Sequence, residues 1–501
     1  MIKKHIPVLV VGLLIVLVAL AGGAVYGINK LIPSRKQMDL TEYYGQNADG
    51  EAALILGTEK LEEKALISGE DVYLPLDVVN GYLNQRYYWD SENKKILYAT
   101  PSSLTEEPAS DKADGNVWLK DDTVYLKLDY VKKYTDIDSY IEQDPARVAI
   151  QYKFTNVETV TTKKDTVIRY RGGIKAPILS KLAKNTVLRL MNEGEDWDQV
   201  ATDDGYIGYI QKKKVSAVDT TDYERDFKTE SYTYLTMDEP VNLAWHQVTS
   251  TDANSYFADA VQNMTGVNVI SPTWFSVTDN SGNISSLASG EYVMQAHEKG
   301  LKVWGLVDNF NENMNTKEVL SKTSSRQNLE NRLITYALKV GMDGINVDFE
   351  SLSEGVGIHF LQFLRELSIQ CHANNLVLSV DNPVPEDFTS HYDRREQGLV
   401  VDYIVIMGYD EHYVGSDAGS VASLPWVEQG VQDTIAEAPA ERTVLAIPFY
   451  TRLWKTTGGA LTSEAIGMDE AQNVLTENGV EAVWDGSVSQ NYATFEKDNS
   501  T

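Results

Sequence analysis

Cysteine is nearly absent: Cys371 stands alone in 501 residues, so no intramolecular disulfide can form and stability must come from packing. Its neighbours, residues 367–372, fall on a predicted helix, where a packed thiol is expected and not a nucleophile. Positive charge is also short. Against 73 Asp and Glu stand 44 Lys and Arg, a net charge of −29, which argues against nucleic acid as a partner, because phosphate calls for a basic face. Histidine numbers only 7. His246 and His412 have no second ligand at helical or hairpin spacing, so neither a metal nor another cofactor is expected. The length itself implies several domains, since single cores seldom exceed ~250 residues.

Long apolar runs are missing except at the start, where residues 6–28 carry no charge and lie between Lys3 and Lys4 on one side and Lys30, Arg35 and Lys36 on the other. As a helix rising ~1.5 Å per residue this run spans a bilayer. A cleaved signal peptide competes, with Ala19-Leu20-Ala21 as its cleavage site, but its apolar core is normally ~7–15 residues and this one is longer. Residues 1–36 are therefore expected to be a single-pass membrane anchor. Both flanks are basic, so the charges do not set orientation.

Residues 37–68 read as a polar connector with some strand content. An internal repeat follows: Tyr73-Leu-Pro-Leu-Asp77-Val-Val returns as Tyr125-Leu-Lys-Leu-Asp129-Tyr-Val, an offset of 52 residues (73 to 125). Each copy, within 69–155, reads as a strand, a short helix and a hairpin. Residues 163–217 read as short strands at 166–170, 186–192, 197–202 and 206–211, with Asp203-Asp204-Gly205 as a tight turn. Basic residues outnumber acids there: Lys163, Lys164, Arg169, Arg171, Lys175, Lys181, Lys184, Arg189 and Lys212 to Lys214. A polar linker at 218–233 comes next. Seven strand patterns then alternate with helical ones, at 242–248, 267–277, 301–308, 344–350, 376–381, 402–409 and 444–454, which points to a parallel α/β barrel.

The fourth of these carries the chemistry. In Gly341-Met-Asp-Gly-Ile-Asn-Val-Asp-Phe-Glu350, period-two alternation sends Ile345, Val347 and Phe349 to one face and Gly344, Asn346, Asp348 and Glu350 to the other. In a (β/α)8 barrel the polar face lines the interior and Glu350 lies at the C-terminal end, where such barrels keep their active sites. Asp348 and Glu350 are two residues apart on one face, side by side and not across a sugar ring.

This stretch resembles the glycoside hydrolase family 18 signature Asp-Gly-x-Asp-x-Asp-x-Glu: Asp343, Gly344, Asp348 and Glu350 match, and Asn346 stands where most chitinases have Asp. The resemblance covers residues 234–501. It implies a TIM barrel whose Glu350 protonates the leaving oxygen while the substrate's own 2-acetamido oxygen attacks the anomeric carbon, a substrate-assisted exception to the two-carboxylate scheme. It gives Asp348 the orienting of the acetamido group. In the common pattern the first inward Asp can share a proton with the second, a role closed to Asn346. Met407-Gly-Tyr409-Asp410 resembles the family's Met-x-Tyr-Asp, which implies that Tyr409 binds the acetamido carbonyl and Asp410 the sugar. Trp245, Trp274, Tyr450, Arg452 and Trp454 are further candidates for lining the cleft, with core packing the alternative for the aromatics. In the family an eighth strand follows; the count here stops at seven, so the domain is expected to be C-terminally incomplete, with 461–495 opening a small insertion domain.

Within the family, the segments around Trp245, Trp274, Tyr409 and Trp454 look most like the branch acting on bacterial cell wall and spore cortex. The expected substrate is thus an N-acetylglucosamine-containing glycan, peptidoglycan first, with chitin or a non-catalytic lectin role as alternatives. The repeat resembles the amine-oxidase N-terminal-like stalk, and 163–217, through Trp197-x-x-Val200 and Gly205-Tyr-x-Gly-Tyr-Ile210, a bacterial SH3-like domain that could hold anionic wall polymer. The expected place is the surface of a Gram-positive cell, with the catalytic part outside.

Overall fold

The computed structural model describes residues 30–45 and 47–501 together with Val11, Leu13, Leu14 and Leu17. Apart from those four, the expected anchor at 6–28 lies outside the described residues. Among the described residues no helix is long and apolar enough to cross a membrane. Contacts divide the chain into two units, one comprising 1–87 and 107–229, the other 88–106 and 230–501. The expected repeat at 69–155 is thus shared between them.

In the first unit the repeat has the expected order. Strand Asp71–Pro75 leads into the helical turns Leu76–Val78 and Val79–Leu83; its counterpart Thr123–Lys127 leads into helix Leu128–Tyr134 and the hairpin Asp138–Gln143, Ala146–Gln151. The two leading strands pair antiparallel, Leu74 opposite Leu126. The second copy's hairpin pairs in parallel with Glu51–Leu56, a strand inside the expected connector. The basic segment forms a sheet ordered Ile178–Leu182, Thr166–Arg169, Ile207–Gln211, Trp197–Ala201, Val187–Asn192, Val157–Thr161, Asp219–Thr221. Gly205, at φ +90°, makes the turn between two of these strands, a conformation that glycine adopts at no steric cost. Two of the expected surface cations are interior. Arg169 donates to the carbonyls of Ser34 and Ala176, and Arg189 to Asp203 and the carbonyl of Lys153. Lys163, Lys164, Arg171, Lys175, Lys181, Lys184 and Lys213 remain exposed.

The second unit contains seven parallel strands in sequential order: β1 Leu243–His246, β2 Val269–Val277, β3 Lys302–Asp308, β4 Gly344–Asp348, β5 Val377–Pro383, β6 Tyr403–Met407 and β7 Thr443–Ala446. Each expected strand is present, and β1 and β7 are left unpaired with one another among the described residues. The seventh is shorter than expected. Pro448 has no N–H to continue a ladder, and residues 450–454 belong instead to a separate hairpin, β8 Tyr450–Thr457 with β9 Ala460–Gly467.

Ile345, Val347 and Phe349 face the helices, all within 1% of complete burial. Two helices cover this side, α1 Thr323–Val340 and α2 Gly357–Ala373. Leu329, Leu333, Ile334 and Ala337 of α1 are buried but Leu338 is not, because the inward stripe of α1 also runs through Arg326 and Glu330. Cys371 on α2 is buried, and its thiol is pushed well up by that burial.

Arg326 and Glu366 form a buried two-point ion pair, Nη2 to Oε1 at 2.9 Å and Nε to Oε2 at 3.2 Å. The guanidinium also donates to the Leu320 carbonyl at 2.7 Å and to Tyr88 Oη at 3.1 Å. Tyr88 comes from the first repeat copy's hairpin, and its hydroxyl also lies 2.8 Å from His359 Nδ1. Arg326→Leu strands the Glu366 charge in the core, so it is expected to cost about 3–5 kcal/mol in urea unfolding, with part of the loss recovered by adding Glu366→Leu; a loss under about 1 kcal/mol would show that the pair is dispensable.

Candidate active site

Parallel pairing sets the interior in layers. Leu306 of β3 and Ser379 of β5 flank Asn346 of β4; one step up, Asp308 lies opposite Asp348. Asp381, two residues beyond Ser379, reaches the same layer on the other side, since residues i and i+2 share a face.

Asn346 is completely buried and fully bonded. Its Oδ1 accepts from Trp245 Nε1 at 3.0 Å and Ser271 Oγ at 3.2 Å, and its Nδ2 donates to Ser379 Oγ at 3.0 Å and Asp381 Oδ1 at 2.8 Å. These four bonds use its whole capacity. An aspartate here would offer no such pair of donors.

Above Asn346 the site is acidic. Asp348 keeps one buried oxygen, Oδ1, without a partner, and so does Asp381 through Oδ2. Burial, then the charges of Glu350 and Asp308, push the Asp348 carboxyl up to about 8. Burial and then Asp348 hold Asp381 well above the usual carboxylate range. Glu350, half-buried, is raised by burial and by Asp410 and Asp308. All three shifts share one physics: anions crowded in a medium poor in water favour their neutral forms.

Glu350 sits just past the end of β4. Its N–H donates to Asn309 Oδ1 at 2.9 Å and its carbonyl accepts from Asn309 Nδ2 at 3.0 Å. Tyr392 Oη, at 3.3 Å, donates to the Phe349 carbonyl. The chain then turns at Ser351, φ +53°. The Asn309 bonds hold the Glu350 backbone on both sides. Asp343, though part of the signature, is at the opposite end of β4, where it accepts from the N–H of Val303 at 2.9 Å and pairs with Lys302 and His297.

Across the interior, Tyr409 follows β6. Burial first, then Asp381, Asp348 and Glu350, raise its hydroxyl far above the usual tyrosine value, so it stays a proton-bearing donor. Its ring meets Tyr450 edge-on, centroids 6.1 Å apart. Asp410 occupies the left-handed region, φ +62°. Tyr450 Oη donates to Asp410 Oδ1 at 2.7 Å, and Arg452 Nη2 lies 3.4 Å from the same oxygen. A non-glycine residue held at positive φ by such contacts is typical of functional loops.

Of the sequence candidates, Asn346, Asp348, Glu350, Tyr409, Asp410, Trp245, Tyr450 and Arg452 are linked by these contacts and charges. Trp274 is not among them. It is 1% exposed, packed against Tyr292 and Phe275, with Nε1 on Asn254 Oδ1 at 2.9 Å. Alternation along β2 explains this: Ser271 faces Asn346, whereas Trp274 has the parity of Ile270 and joins it in the outer core, and the bulge between Thr273 and Phe275 flips only the residues that follow. Trp454 shares the parity of Tyr450 and Arg452 but bonds the Gly419 carbonyl at 3.0 Å. His246 bonds Tyr292 Oη and His412 the Ser420 carbonyl, both at 2.8 Å.

Asp308, Asn309, Ser379 and Asp381 escaped the sequence reading. The signal was there: Leu-Val-Asp308 and Ser-Val-Asp381 each close an apolar strand with an inward acid, as Asn-Val-Asp348 does.

The family model "Glycosyl hydrolases family 18" matches residues 205–501, more than half of the chain. Among curated relatives, the glycosylase YvbX of Bacillus subtilis (strain 168) is 25% identical over 248 residues, 46% of this chain and 72% of that protein. The cortical fragment-lytic enzyme of the same organism is 25% identical over 175 residues, 33% of this chain and 41% of that protein. The crystal structure of a chitinase from Chromobacterium violaceum ATCC 12472 aligns with TM-score 0.44 and 22% identity, over 50% of this chain and 80% of that one. The family match falls on the same stretch as the acidic strand ends, and the chain belongs to the glycosyl hydrolases of family 18: it is a glycoside hydrolase.

Proposed function

We propose that this chain cleaves N-acetylglucosamine-containing cell-wall glycan, peptidoglycan, with retention of anomeric configuration and with help from the substrate itself. The observation that carries this reading is the placement of Asp348 and Glu350 at one strand end, beside one another, where they cannot straddle a glycosidic bond as a two-carboxylate pair does. Glu350, kept protonated by burial and by neighbouring acids, gives its proton to the leaving oxygen. The substrate's acetamido oxygen forms the bond to the anomeric carbon as the glycosidic C–O bond breaks. Tyr409 donates to that acetamido group and Asp348 faces its developing positive charge, an electrostatic contribution of the kind that is often the largest in catalysis. Water then opens the oxazolinium ion, Glu350 taking back a proton.

Peptidoglycan is favoured over chitin by the likeness to a relative whose name describes action on cortical fragments and by what surrounds the domain. The uncharged run at 6–28 supports a membrane anchor, and the exposed lysines of the SH3-like segment at 163–217 support adhesion to anionic wall polymer. Full-length protein is incubated with purified peptidoglycan and with chitin oligomers, beside Glu350→Gln, and products are identified by mass spectrometry. New reducing-end N-acetylglucosamine from peptidoglycan in the parent alone is the expected result. Product from chitin alone reassigns the polymer, and bound glycan with no product from either makes the protein a lectin. Wall adsorption measured in the same incubations falls as salt rises if the lysines carry it; salt-independent adsorption removes that part of the proposal.

A further inference from the structure

Two carboxyl groups in this site each leave one buried oxygen without a hydrogen-bond partner, Oδ1 of Asp348 and Oδ2 of Asp381. They stand in the same layer of adjacent parallel strands, since Asn346 is in register with Ser379 and Val347 with Val380. Neighbouring strands lie about 4.8 Å apart, so side chains in one layer on one face meet directly. Asp381 is only 1% exposed, and its other oxygen, Oδ1, accepts from Asn346 Nδ2 at 2.8 Å. Asn346 thus orients Asp381 and has no bonding capacity left for Asp348. The two oxygens left over belong to carboxyls in one layer and have no donor from any neighbouring group.

Two carboxylates in one water-poor layer of adjacent strands cannot both be ionised without large repulsion, and two carboxylic acids there would leave an O–H unpaired. A single proton satisfies both groups. We infer that Asp348 and Asp381 hold one proton between them, and that Asp381 is the positioning residue that sets the charge and aim of Asp348. The inference rests on the glycosidase reading above. The proton is an O–H on one carboxyl and a hydrogen bond to the lone pair of the other. When a positive charge develops near Asp348, the O–H bond lies on Asp381 and Asp348 is the anion; when the charge is gone, the proton can return. No proton enters or leaves the pair, and none comes from Glu350. Asn346, with amide donors in place of a second acid, is the part that makes this work from the neighbouring strand: the carboxyl that a family 18 signature usually carries at 346 is supplied here at 381. The charges that face the pair are Glu350 and Asp308, with Tyr409 the hydroxyl whose ionisation they oppose.

The test moves the carboxyl. Full-length parent, Asp381→Ala, Asp381→Asn, Asn346→Asp and the double variant Asn346→Asp with Asp381→Ala are assayed on peptidoglycan fragments across pH. Asp381→Ala is expected to lose about 10–100-fold in kcat with KM little changed, and the double variant to regain most of it, so that the two substitutions are strongly non-additive. Asp381→Asn, which still donates to Asp348 but cannot ionise, is expected to keep more activity than Asp381→Ala and to show an altered basic limb. Additive losses, or an unchanged pH profile in Asp381→Asn, would overturn the inference while Glu350-dependent activity leaves the glycosidase reading standing.

If the parent is inactive on every glycan, that reading fails, and proton release on unfolding near pH 7 still decides the pair. Unfolded carboxyls are ionised there. The parent should release one proton more than Asp381→Asn, and Asp348→Asn combined with Asp381→Asn should release no fewer than Asp381→Asn. Equal release by parent and Asp381→Asn, or a further drop in the double variant, sinks the shared proton.

Discussion

Glu350→Gln is expected to lower turnover by about 10²–10⁴-fold, the usual contribution of a positioned general acid, while leaving glycan binding within a few-fold of the parent. The amide keeps the shape of the side chain and its place just beyond β4, where Asn309 holds the backbone from both sides. What it removes is the proton. Because the Glu350 carboxyl is raised by burial and by Asp410 and Asp308, the parent should remain active some way above the pH at which an ordinary glutamate has ionised, and activity should fall as pH rises through the shifted value. Steady-state kinetics on a glycan with a very acidic leaving group gives a second check, since such a group needs little protonation: the variant's deficit should shrink there. A variant as active as the parent on natural substrate would remove Glu350 from the role of acid.

Asp348→Asn carries the second large effect, and its two consequences have opposite signs. Turnover should fall by about 10²–10³-fold, as when one preorganised group facing transition-state charge is lost. Stability should rise. The folded carboxyl is raised from 3.8 to about 8, so the group contributes stability that is fully present below the unfolded value and is lost as pH climbs through the folded one, with a limiting slope of about 1.4 kcal/mol per pH unit for one proton. Asparagine has nothing to ionise. The variant's advantage in denaturant unfolding should therefore grow from about pH 4 to about pH 8 and level off above it. An Asp348→Asn protein less stable than the parent at about pH 8 would mean that the folded site favours the ionised carboxyl, contrary to its upward shift. Active sites commonly trade stability for function in this manner.

Much of this site was legible because period-two alternation is a strong rule on a strand. It put Asn346, Asp348 and Glu350 on one face and Ile345, Val347 and Phe349 on the other, as the burial of the latter three bears out. Trp274, a candidate as an aromatic near a strand end, proved to be the core residue that was its alternative; the same rule, counted from Ser271 facing Asn346, puts it on the outer face. The rule did split residues 444–454 wrongly: Tyr450 and Arg452 do reach Asp410, but from a hairpin and not from the seventh barrel strand. Asp381 was invisible for a different reason. Its importance comes from register between strands that are over thirty residues apart, and alternation within one strand says nothing about the height of the next. The repeat was readable from its 73-to-125 match, yet the division of its two hairpins between separate units was not, because both copies have the same local pattern.

That division bears on how the chain reaches its native state. The hairpin of the first copy is made early, but Tyr88 must find Arg326 and His359, which are 238 and 271 residues further on. At about 5–20 residues per second, synthesis alone imposes a wait of roughly 10–50 s. During that interval the groups that Tyr88 bonds have not been made, and the second unit cannot finish until its two parts, which 107–229 separates along the chain, have met. The equilibrium cost of such a loop grows only logarithmically with its length, but long-range closure slows folding far more than it weakens the product. Biogenesis of this enzyme is thus ordered by topology: the first unit can form on its own schedule, whereas the catalytic unit is complete only when its latest segment meets one of its earliest.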